Sequence, residues 1–208
     1  MKKVSAFLLF LIALFAISGL AAASDAAYRH ATQVTDVTKP YEAEEWIISP
    51  DEEGQDDQTV GNVPECDMSG IIACNDADFL RVDILLNHGI TYKWAVWYSL
   101  KLEYADMSEY FTYYSDTREL VYEKEKEGKI VETKVLTADN SADWAGITSS
   151  GETEDSDVYF IIKKTEHIGG AKGDKYFVTC RFMSGYFAAD EKSEIGDETG
   201  AVDLEFIY

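Results

Sequence analysis

The chain has 208 residues, of which 46% are hydrophobic and 13% aromatic, and its formal net charge at pH 7 is −21. This hydrophobic content supports a folded core and excludes an acidic disordered tail. A surface this negative repels phosphate backbones and anionic lipid, so we expect no nucleic-acid partner. Adaptation to salty surroundings is the alternative explanation of the charge.

Residues 1–23 have the features of a secretory signal peptide. Two lysines follow the first methionine, an almost wholly apolar run extends to Leu20, and three alanines end the segment before Ser24. The apolar run is also about long enough for a retained membrane anchor, since roughly 20 residues span a bilayer. Cleavage is favoured because small residues cluster at its end. It predicts a secreted or cell-surface protein with no membrane partner after cleavage.

Residues 24–64 are predicted to form an N-terminal arm and an acidic loop. The stretch "YEAEEWIIS" contains aromatic and branched residues that could add a strand to a body elsewhere. The following "DEEGQDDQTVGNVP" is polar and rich in turn residues. Pro50 and Pro64 bracket it and oppose a continuous helix.

The three cysteines lie in a context of export, where disulfides persist. Cys66 and Cys74 flank a short segment, and we predict a disulfide between them that would stabilise the fold by roughly 2–3 kcal/mol. Cys180 lies in the strand-like run "YFVTCRF" and is predicted to be a buried small apolar residue. The spacing of the cysteines matches no zinc pattern.

From residue 76 onward the hydrophobic pattern has a period of two, as half-buried strands require. In "FLRVDILL" and in "YKWAVWYSLKLEY" apolar residues fall on one face, and polar residues dominate the other. Further strands follow, with a hairpin signal at Glu127-Gly128. The pattern predicts an all-β fold over residues 65–208: a two-sheet antiparallel β-sandwich of the jelly-roll or immunoglobulin-like type. The inward residues of the two strands are Leu80, Val82, Ile84, Leu86, Tyr92, Trp94, Val96, Tyr98, Leu100, Leu102 and Tyr104.

Residues for catalysis are few. His30, His88 and His167 stand beside no nucleophile in a known signature, and there is no nucleophile elbow, metalloprotease motif or phosphate-binding loop. Carboxylate pairs for glycoside hydrolysis need only spatial proximity, and 39 acidic residues produce such pairs by chance. We therefore predict that the protein is not an enzyme.

Several acidic loops offer the oxygen ligands that calcium prefers. The tightest group contains Asn75, Asp76 and Asp78 at the start of the first core strand, and Asp190 could lie near it if the first and last strands are neighbours. The alternative is that these loops are simply solvated. Calcium is therefore the expected cofactor, and no organic cofactor is expected. The acidic segments are residues 51–57, 75–78, 152–157 and 190–198.

Outward aromatic side chains are candidates for ligand stacking. Trp97 falls on the mainly polar face of its strand, and Trp144 lies in "NSADWAGITSSG", among small polar residues. Tyr113 is expected to point outward, opposite to Tyr114. We predict Trp97, Trp144 and Tyr113 as ligand-binding residues; the alternative for Trp97 is coverage by the arm or by a second sheet.

The segment "NDADFLRVDILLNHGITYKWAVWYSLKLEY", followed by an aromatic strand and later by "DKYFVTCRFMSGYF" and an acidic stretch, resembles the secreted DOMON-like β-sandwich domains, which include the family-9 carbohydrate-binding modules. The resemblance covers the strand pattern of residues 76–208. It implies a two-sheet sandwich, often carrying calcium, that binds sugars or haem or serves in adhesion. For haem, Met107, Met183 and His167 offer the residue types used in that group, without a clearly matching position.

Together these features predict an exported, non-catalytic binding module for carbohydrate or another extracellular polymer, with calcium as a structural ion. The alternative is a structural subunit of the cell envelope or of an extracellular filament. In that case the arm of residues 24–64 would pair with a sheet edge of a neighbouring copy, so that the protein self-associates.

Overall fold

The structure, a computed structural model, describes residues 29–38, 46–48, 63–90, 95–148, 156–168, 173, 175–187 and 193–207. The predicted signal peptide, the loop of residues 51–62, Tyr92, Trp94 and Asp190 lie outside these ranges. None of the helices in the described ranges combines the length and the apolar character needed to cross a membrane.

Almost every regular element is a strand. A short 3-10 turn, Pro64–Cys66, and one single-turn helix, α1 (Lys164–His167), are the exceptions among the described residues. The strands are β1 (Arg29–His30), β2 (Thr32–Gln33), β3 (Trp46–Ile48), β4 (Met68–Asn75), β5 (Phe79–Leu86), β6 (Val96–Glu103), β7 (Met107–Tyr114), β8 (Glu119–Lys126), β9 (Lys129–Leu136), β10 (Trp144–Ile147), β11 (Ser156–Lys163), β12 (Lys175–Phe187), β13 (Ser193–Glu198) and β14 (Val202–Ile207).

Within the described ranges the strands form two sheets, of eight and six strands. The larger has the order β1-β14-β12-β6-β7-β8-β9, with β13 also paired to β12; the smaller has the order β10-β11-β5-β4-β2, with β3 also paired to β4. Most pairs are antiparallel, but β1–β14 and β2–β4 are parallel. The predicted β-sandwich is confirmed, and its sheets are mixed rather than purely antiparallel.

The core lies between the two sheets and follows the predicted alternation. In β5 every second side chain, from Leu80 to Leu86, is buried in the shared cluster, and β6 contributes Tyr98, Leu100 and Leu102. Burial of these apolar side chains is the main driving force for closing the sandwich. Its largest fully buried aromatic residues are Tyr98, Phe111, Phe160, Phe182 and Phe206.

The predicted direction of Tyr113 is wrong. Tyr113 is buried in the core, in line with Phe111 two residues earlier, whereas Tyr114 is half-buried on the opposite face of β7. Successive side chains of a strand point to opposite faces, and Phe111 fixes which face is inward.

The hairpin between β8 and β9 is confirmed. Glu127 and Gly128 both have positive φ, at 52° and 73°, as a two-residue turn between right-twisted strands requires. The turn therefore sets the β8–β9 register, which places Lys126 opposite Lys129.

The first described residues connect the two sheets. β1 pairs with β14 in the larger sheet and β2 pairs with β4 in the smaller one. Between the two strands, the Ala31 amide donates to the Glu205 carbonyl at 2.9 Å, and directly after β2 the Val34 amide donates to the Asn75 carbonyl at 2.8 Å. This part of the predicted arm is thus paired within its own chain.

The predicted Cys66–Cys74 disulfide is wrong. Cys66 ends the 3-10 turn and faces the core, whereas Cys74 is near the far end of β4 and belongs to a separate cluster on the outer face of the sheet. Most of β4 lies between the two cysteines, and an extended strand advances about 3.3 Å per residue. Their Cα atoms are therefore farther apart than the limit of about 7 Å for a disulfide. Burial raises the pKa of the Cys66 thiol to about 12. Cys180 is buried in the core, as predicted.

Candidate functional site

A cavity of about 450 Å³ opens on the outer face of the six-stranded sheet. It lies there because β5 and β11 direct one set of side chains into the core and the alternate set outward. Its walls combine aromatic, aliphatic and charged groups. The lining residues are Thr38, Ile72, Arg81, Asp83, Trp144, Ile147, Thr148, Asp157, Tyr159 and Ile161.

A buried ion pair lies beside this cavity. Arg81 and Asp83 are two residues apart on β5, so their side chains share a face, and they form a bidentate contact with Nε–Oδ2 at 2.8 Å and Nη2–Oδ1 at 2.6 Å. Arg81 Nη1 also donates to the Val37 carbonyl at 3.0 Å, and its guanidinium carbon lies 4.8 Å from the centre of the Tyr159 ring. A guanidinium with this many contacts holds one orientation, so the polar wall of the cavity is preorganised.

Two aromatic side chains form another wall. Trp144 on β10 makes an edge-to-face contact with Phe79, at 5.6 Å between ring centres. Tyr159 on β11 lies across Gly146, its partner on β10; a Cβ at Gly146 would stand 2.6 Å from the Tyr159 hydroxyl. The missing side chain at Gly146 is therefore what lets the Tyr159 ring lie flat along this face.

The N-terminal segment borders the same cavity. Val37 is fully buried on the outer face, in a small cluster with Cys74 and Ile161. Its amide donates to Asp76 Oδ2 at 3.1 Å, and Thr38 reaches the cavity wall. Residues 34–38 therefore cover the part of the sheet that lies beside the cavity.

The structure places the three predicted ligand residues apart. Trp144 lines the cavity, Tyr113 lies in the core, and Trp97 is on the outer face of the eight-stranded sheet, only 9% exposed. Trp97 lies against Gly185, its partner on β12, where a Cβ would overlap the indole and the Glu194 carbonyl. Trp97 is therefore a covered side chain, which was the alternative to ligand binding. Neighbouring strands of its own sheet cover it, rather than the arm or a second sheet.

Two of the predicted calcium ligands, Asn75 and Asp76, contact a side-chain cation. Lys164, which is fully buried, donates through Nζ to the Asp76 carbonyl, to the Ile207 carbonyl at 2.9 Å and to Asn75 Oδ1 at 3.4 Å. Asp76 Oδ1 accepts the amides of Asp78 and Phe79, each at 2.8 Å. These oxygens already accept hydrogen bonds from an ammonium group and from backbone amides. They therefore do not fit a calcium ion, which needs six to eight oxygen ligands.

A second buried cation lies at the other end of α1. His167 Nδ1 is 3.0 Å from Glu109 Oε2 and Nε2 is 2.8 Å from Asp143 Oδ2, so His167 and these two carboxylates form an ion triad. Burial would lower the pKa of His167, but hydrogen bonds to Asp143 and Glu109 and their charges raise it to about 9. Burial likewise opposes ionisation of the two carboxylates, yet contacts with His167 lower the pKa of each.

The triad overlaps a possible metal site. Asp143, Glu166 and His167 each bring one ligand atom within 4.8 Å of the others, and this group could hold a metal ion. One nitrogen and two carboxylate oxygens suit a zinc-type ion better than calcium. Both ring nitrogens of His167 already contact carboxylates, however, so the geometry fits the ion triad better than a metal centre.

Sequence patterns alone missed Arg81, Asp83 and Tyr159. Their signal is present, because "LRVDI" puts two opposite charges two residues apart inside an otherwise apolar strand. Charged side chains are seldom fully buried unless they are paired. Such a pair within a strand therefore indicates a covered outer face.

Comparisons with known proteins add little to this geometry. No protein-family model matches the chain, and no curated protein matches it. Among solved structures, the chain is similar to a suspected carbohydrate-binding protein from Bacteroides uniformis, with 12% identity and a TM-score of 0.46, over 86% of this chain and 98% of that chain. At that TM-score the similarity carries no argument, and the resemblance to DOMON-like domains stays a prediction.

Proposed function

We propose that the protein is an exported, non-catalytic module that binds carbohydrate in the cavity of the six-stranded sheet. The observation that carries the proposal is the meeting of Trp144 and Tyr159 with the fixed Arg81–Asp83 pair at one cavity. Export rests on the signal-peptide pattern of residues 1–23.

The chemistry of the walls matches the chemistry of a sugar ring. A pyranose has apolar C–H faces, which pack on aromatic rings, and hydroxyl groups around its rim, which need hydrogen-bonding partners. Trp144 and Tyr159 provide the rings, and Asp83, Asp157 and Thr148 provide oxygen atoms along the same cavity. The two kinds of group therefore lie where one sugar can contact both.

The size of the cavity also fits. Small-molecule sites typically enclose about 300–1,000 Å³, and the cavity of about 450 Å³ falls at the lower end. That volume suits one or two sugar units, such as the end or a short stretch of a polysaccharide. Two carboxylates and one guanidinium among the lining residues favour uncharged or amino sugars over acidic ones.

A binding role fits the lining better than a catalytic one. No histidine, cysteine or lysine is among the described residues that line the cavity. Both carboxylate oxygens of Asp83 accept hydrogen bonds from the Arg81 guanidinium, which holds the carboxylate in place. We therefore assign Trp144, Tyr159, Arg81 and Asp83 to recognition.

The test is binding of the secreted protein to a panel of soluble neutral, amino and acidic polysaccharides, followed by tryptophan fluorescence and calorimetry. We expect one neutral or amino polysaccharide to bind and Trp144→Ala to weaken it at least tenfold. That is a loss of roughly 1.4 kcal/mol, within the range of a removed stacking contact.

Two matched controls separate the cavity from other aromatic surfaces. Phe177→Ala removes an exposed ring on the eight-stranded sheet, and Trp97→Phe changes the covered tryptophan there. Both should keep full affinity. Binding that Trp97→Phe abolishes while Trp144→Ala leaves it intact would move the site to the other sheet, and no binding to any polysaccharide would remove the proposal.

A further inference from the structure

Strand β9 is the last strand of the eight-stranded sheet. It pairs with β8 on one side, and on the other side no described strand pairs with it. At one end of that side the Asn140 side chain donates through Nδ2 to the Val135 carbonyl at 3.0 Å. The rest of the side, around Thr133, is where a further strand would pair, which is how sheets extend between protein copies.

This edge is unusually apolar for an exposed strand. Ile130, Val131 and Val135 are 50%, 59% and 45% exposed, and they make up three of the seven large hydrophobic side chains that are exposed among the described residues. Clustered apolar side chains on a surface indicate contact with a partner more often than scattered ones do.

The sequence of β9 is complementary to itself when reversed. In "IVETKVL", residues 130–136, an antiparallel copy rotated about Thr133 places Glu132 opposite Lys134 and Val131 opposite Val135. The outermost pair of this register is Ile130 with Leu136, so every pair joins like with like or acid with base. Opposite charges and branched side chains in cross-strand pairs stabilise antiparallel sheets, and like charges destabilise them.

We infer that β9 pairs with β9 of a second copy of this chain, antiparallel and with Thr133 on the two-fold axis. A closed two-fold contact of this kind uses the same surface on both copies. The contact would join two eight-stranded sheets into one continuous sheet. The cavity faces outward from the other sheet, so it would remain accessible in the dimer.

The charges also select this register over its neighbours. A register shifted by one residue places Val131 opposite Lys134, which loses the acid–base pairs and sets a charge against an apolar side chain. Within one chain Glu132 and Lys134 already lie 2.5 Å apart, so the two-fold contact assembles four alternating charges on one face. The match between side chains on two neighbouring strands is what fixes the register of their pairing.

Two features of β9 are also used by proteins to block sheet edges. Lysines occur at positions 129 and 134, and the register with β8 shifts between Lys124 and Glu125, which indicates a bulge next to Val131. Lys134 does not block pairing here, because Glu132 of the second copy faces it. The bulge limits the regular ladder to a few residues, so the dimer should be weak and depend on concentration.

Cysteine cross-linking tests the register directly. Thr133→Cys places two thiols opposite each other, at the 4.5–5.5 Å Cα separation of antiparallel partners, which is within disulfide range. We expect a covalent dimer under mild oxidation of the variant. Val131→Cys is the matched control: four residues, or about 13 Å, separate position 131 from its own copy, so it should stay monomeric alone and cross-link when mixed with Val135→Cys.

Charge reversal tests the contact without a new thiol. Glu132→Lys and Lys134→Glu each replace two attractive pairs by two repulsive ones. Each should lower the association constant of the dimer about tenfold, as measured by analytical sedimentation. The double variant E132K/K134E restores opposite charges and should dimerise like the parent chain. A parent chain that is monomeric at millimolar concentration, a double variant no better than the single ones, or equal cross-linking at positions 131 and 133 would each overturn the inference.

Discussion

Two buried cations, Lys164 and His167, lie three residues apart on α1 and are held in opposite ways. Lys164 donates to the carbonyls of Asp76 and Ile207 and to the Asn75 amide oxygen, which are all neutral groups. His167 lies between two carboxylates, Glu109 and Asp143. The described contacts of Lys164 are thus with dipoles, whereas those of His167 are with charges.

The difference decides what remains when each cation is removed. Without Lys164, the described carbonyls of Asp76 and Ile207 and the Asn75 amide oxygen lose a donor. Without His167, two buried carboxylates remain and face each other across its place. An uncompensated buried charge costs more than an unsatisfied dipole, so we expect the larger effect at His167, although Lys164 is the more deeply buried of the two.

The largest effect is expected for His167→Leu. Glu109 keeps Tyr122 and the Lys124 ammonium as partners, whereas Asp143 keeps only neutral donors among its described contacts, from Ser141 and the Lys163 amide. Both lose the imidazolium between them, and breaking a buried ion pair by removing one partner costs about 3–5 kcal/mol. Urea unfolding of the variant should show this loss in the free energy of unfolding.

A matched rescue accompanies that variant. Adding Glu109→Gln and Asp143→Asn removes both carboxylate charges, so the triple variant should recover much of the lost stability. If His167→Leu costs no more than the equivalent change at Lys164, the comparison between charges and dipoles fails.

The pH dependence should differ between the two sites as well. The pKa of His167 is raised from 6.5 to about 9 in the folded state. Its contribution to the free energy of unfolding is therefore complete below about pH 6.5 and is lost as the pH rises through 9. The lowered pKa values of Glu109 and Asp143 act in the other direction, since their contribution is lost as the pH falls below the ordinary carboxylate range.

Between pH 6.5 and 9.5 the free energy of unfolding should therefore fall by roughly 3 kcal/mol through His167 alone. Urea titrations across this range, repeated on His167→Leu, measure the effect. The variant should have a much flatter profile than the parent, and parallel profiles would show that the triad is not the source.

A smaller loss is expected for Lys164→Met, which keeps the aliphatic part of the side chain. The buried carbonyls of Asp76 and Ile207 lose a donor, and an unsatisfied buried group costs about 1–3 kcal/mol, so we expect a loss of about 2 kcal/mol. Lys163→Met is the control one residue earlier: its ammonium is half-exposed and pairs with exposed Glu166, and such pairs contribute less than about 1 kcal/mol. Equal losses in the two variants would contradict the role of the buried ammonium.

Strand alternation predicted the core because period two is a local property of the chain. It identified the alternate residues from Leu80 to Leu86 and from Tyr98 to Leu102 as inward, and their burial confirms this. What α1 buries was not predictable in this way. Lys163 and Lys164 are adjacent and chemically alike, and only the position of β14, from a distant part of the chain, makes one of them interior.

The two outward tryptophans show the same limit for the site. Alternation places Trp97 on the face that points away from the core, and the small polar residues around Trp144 indicate a position at the surface. Neither pattern contains information about what covers each side chain. Gly185 brings β12 against Trp97, whereas Trp144 packs against the small cluster of Val37, Cys74 and Ile161 and borders the cavity. Cover is a long-range property, so a site that depends on it emerges only from the fold.

The smallest effect is expected for calcium. A divalent cation near Asn75 and Asp76 would have to displace the Lys164 ammonium and the amides that Asp76 accepts. We therefore expect the same melting temperature in millimolar calcium and in chelator, because a ligand that binds the folded state must raise it. A rise of several degrees that Asp76→Asn abolishes would show that calcium competes with Lys164 at this place; a rise that survives Asp76→Asn would assign the ion to other oxygens. In the first case Lys164→Met should strengthen calcium binding, since it removes the competing charge and leaves its carbonyl oxygens in position.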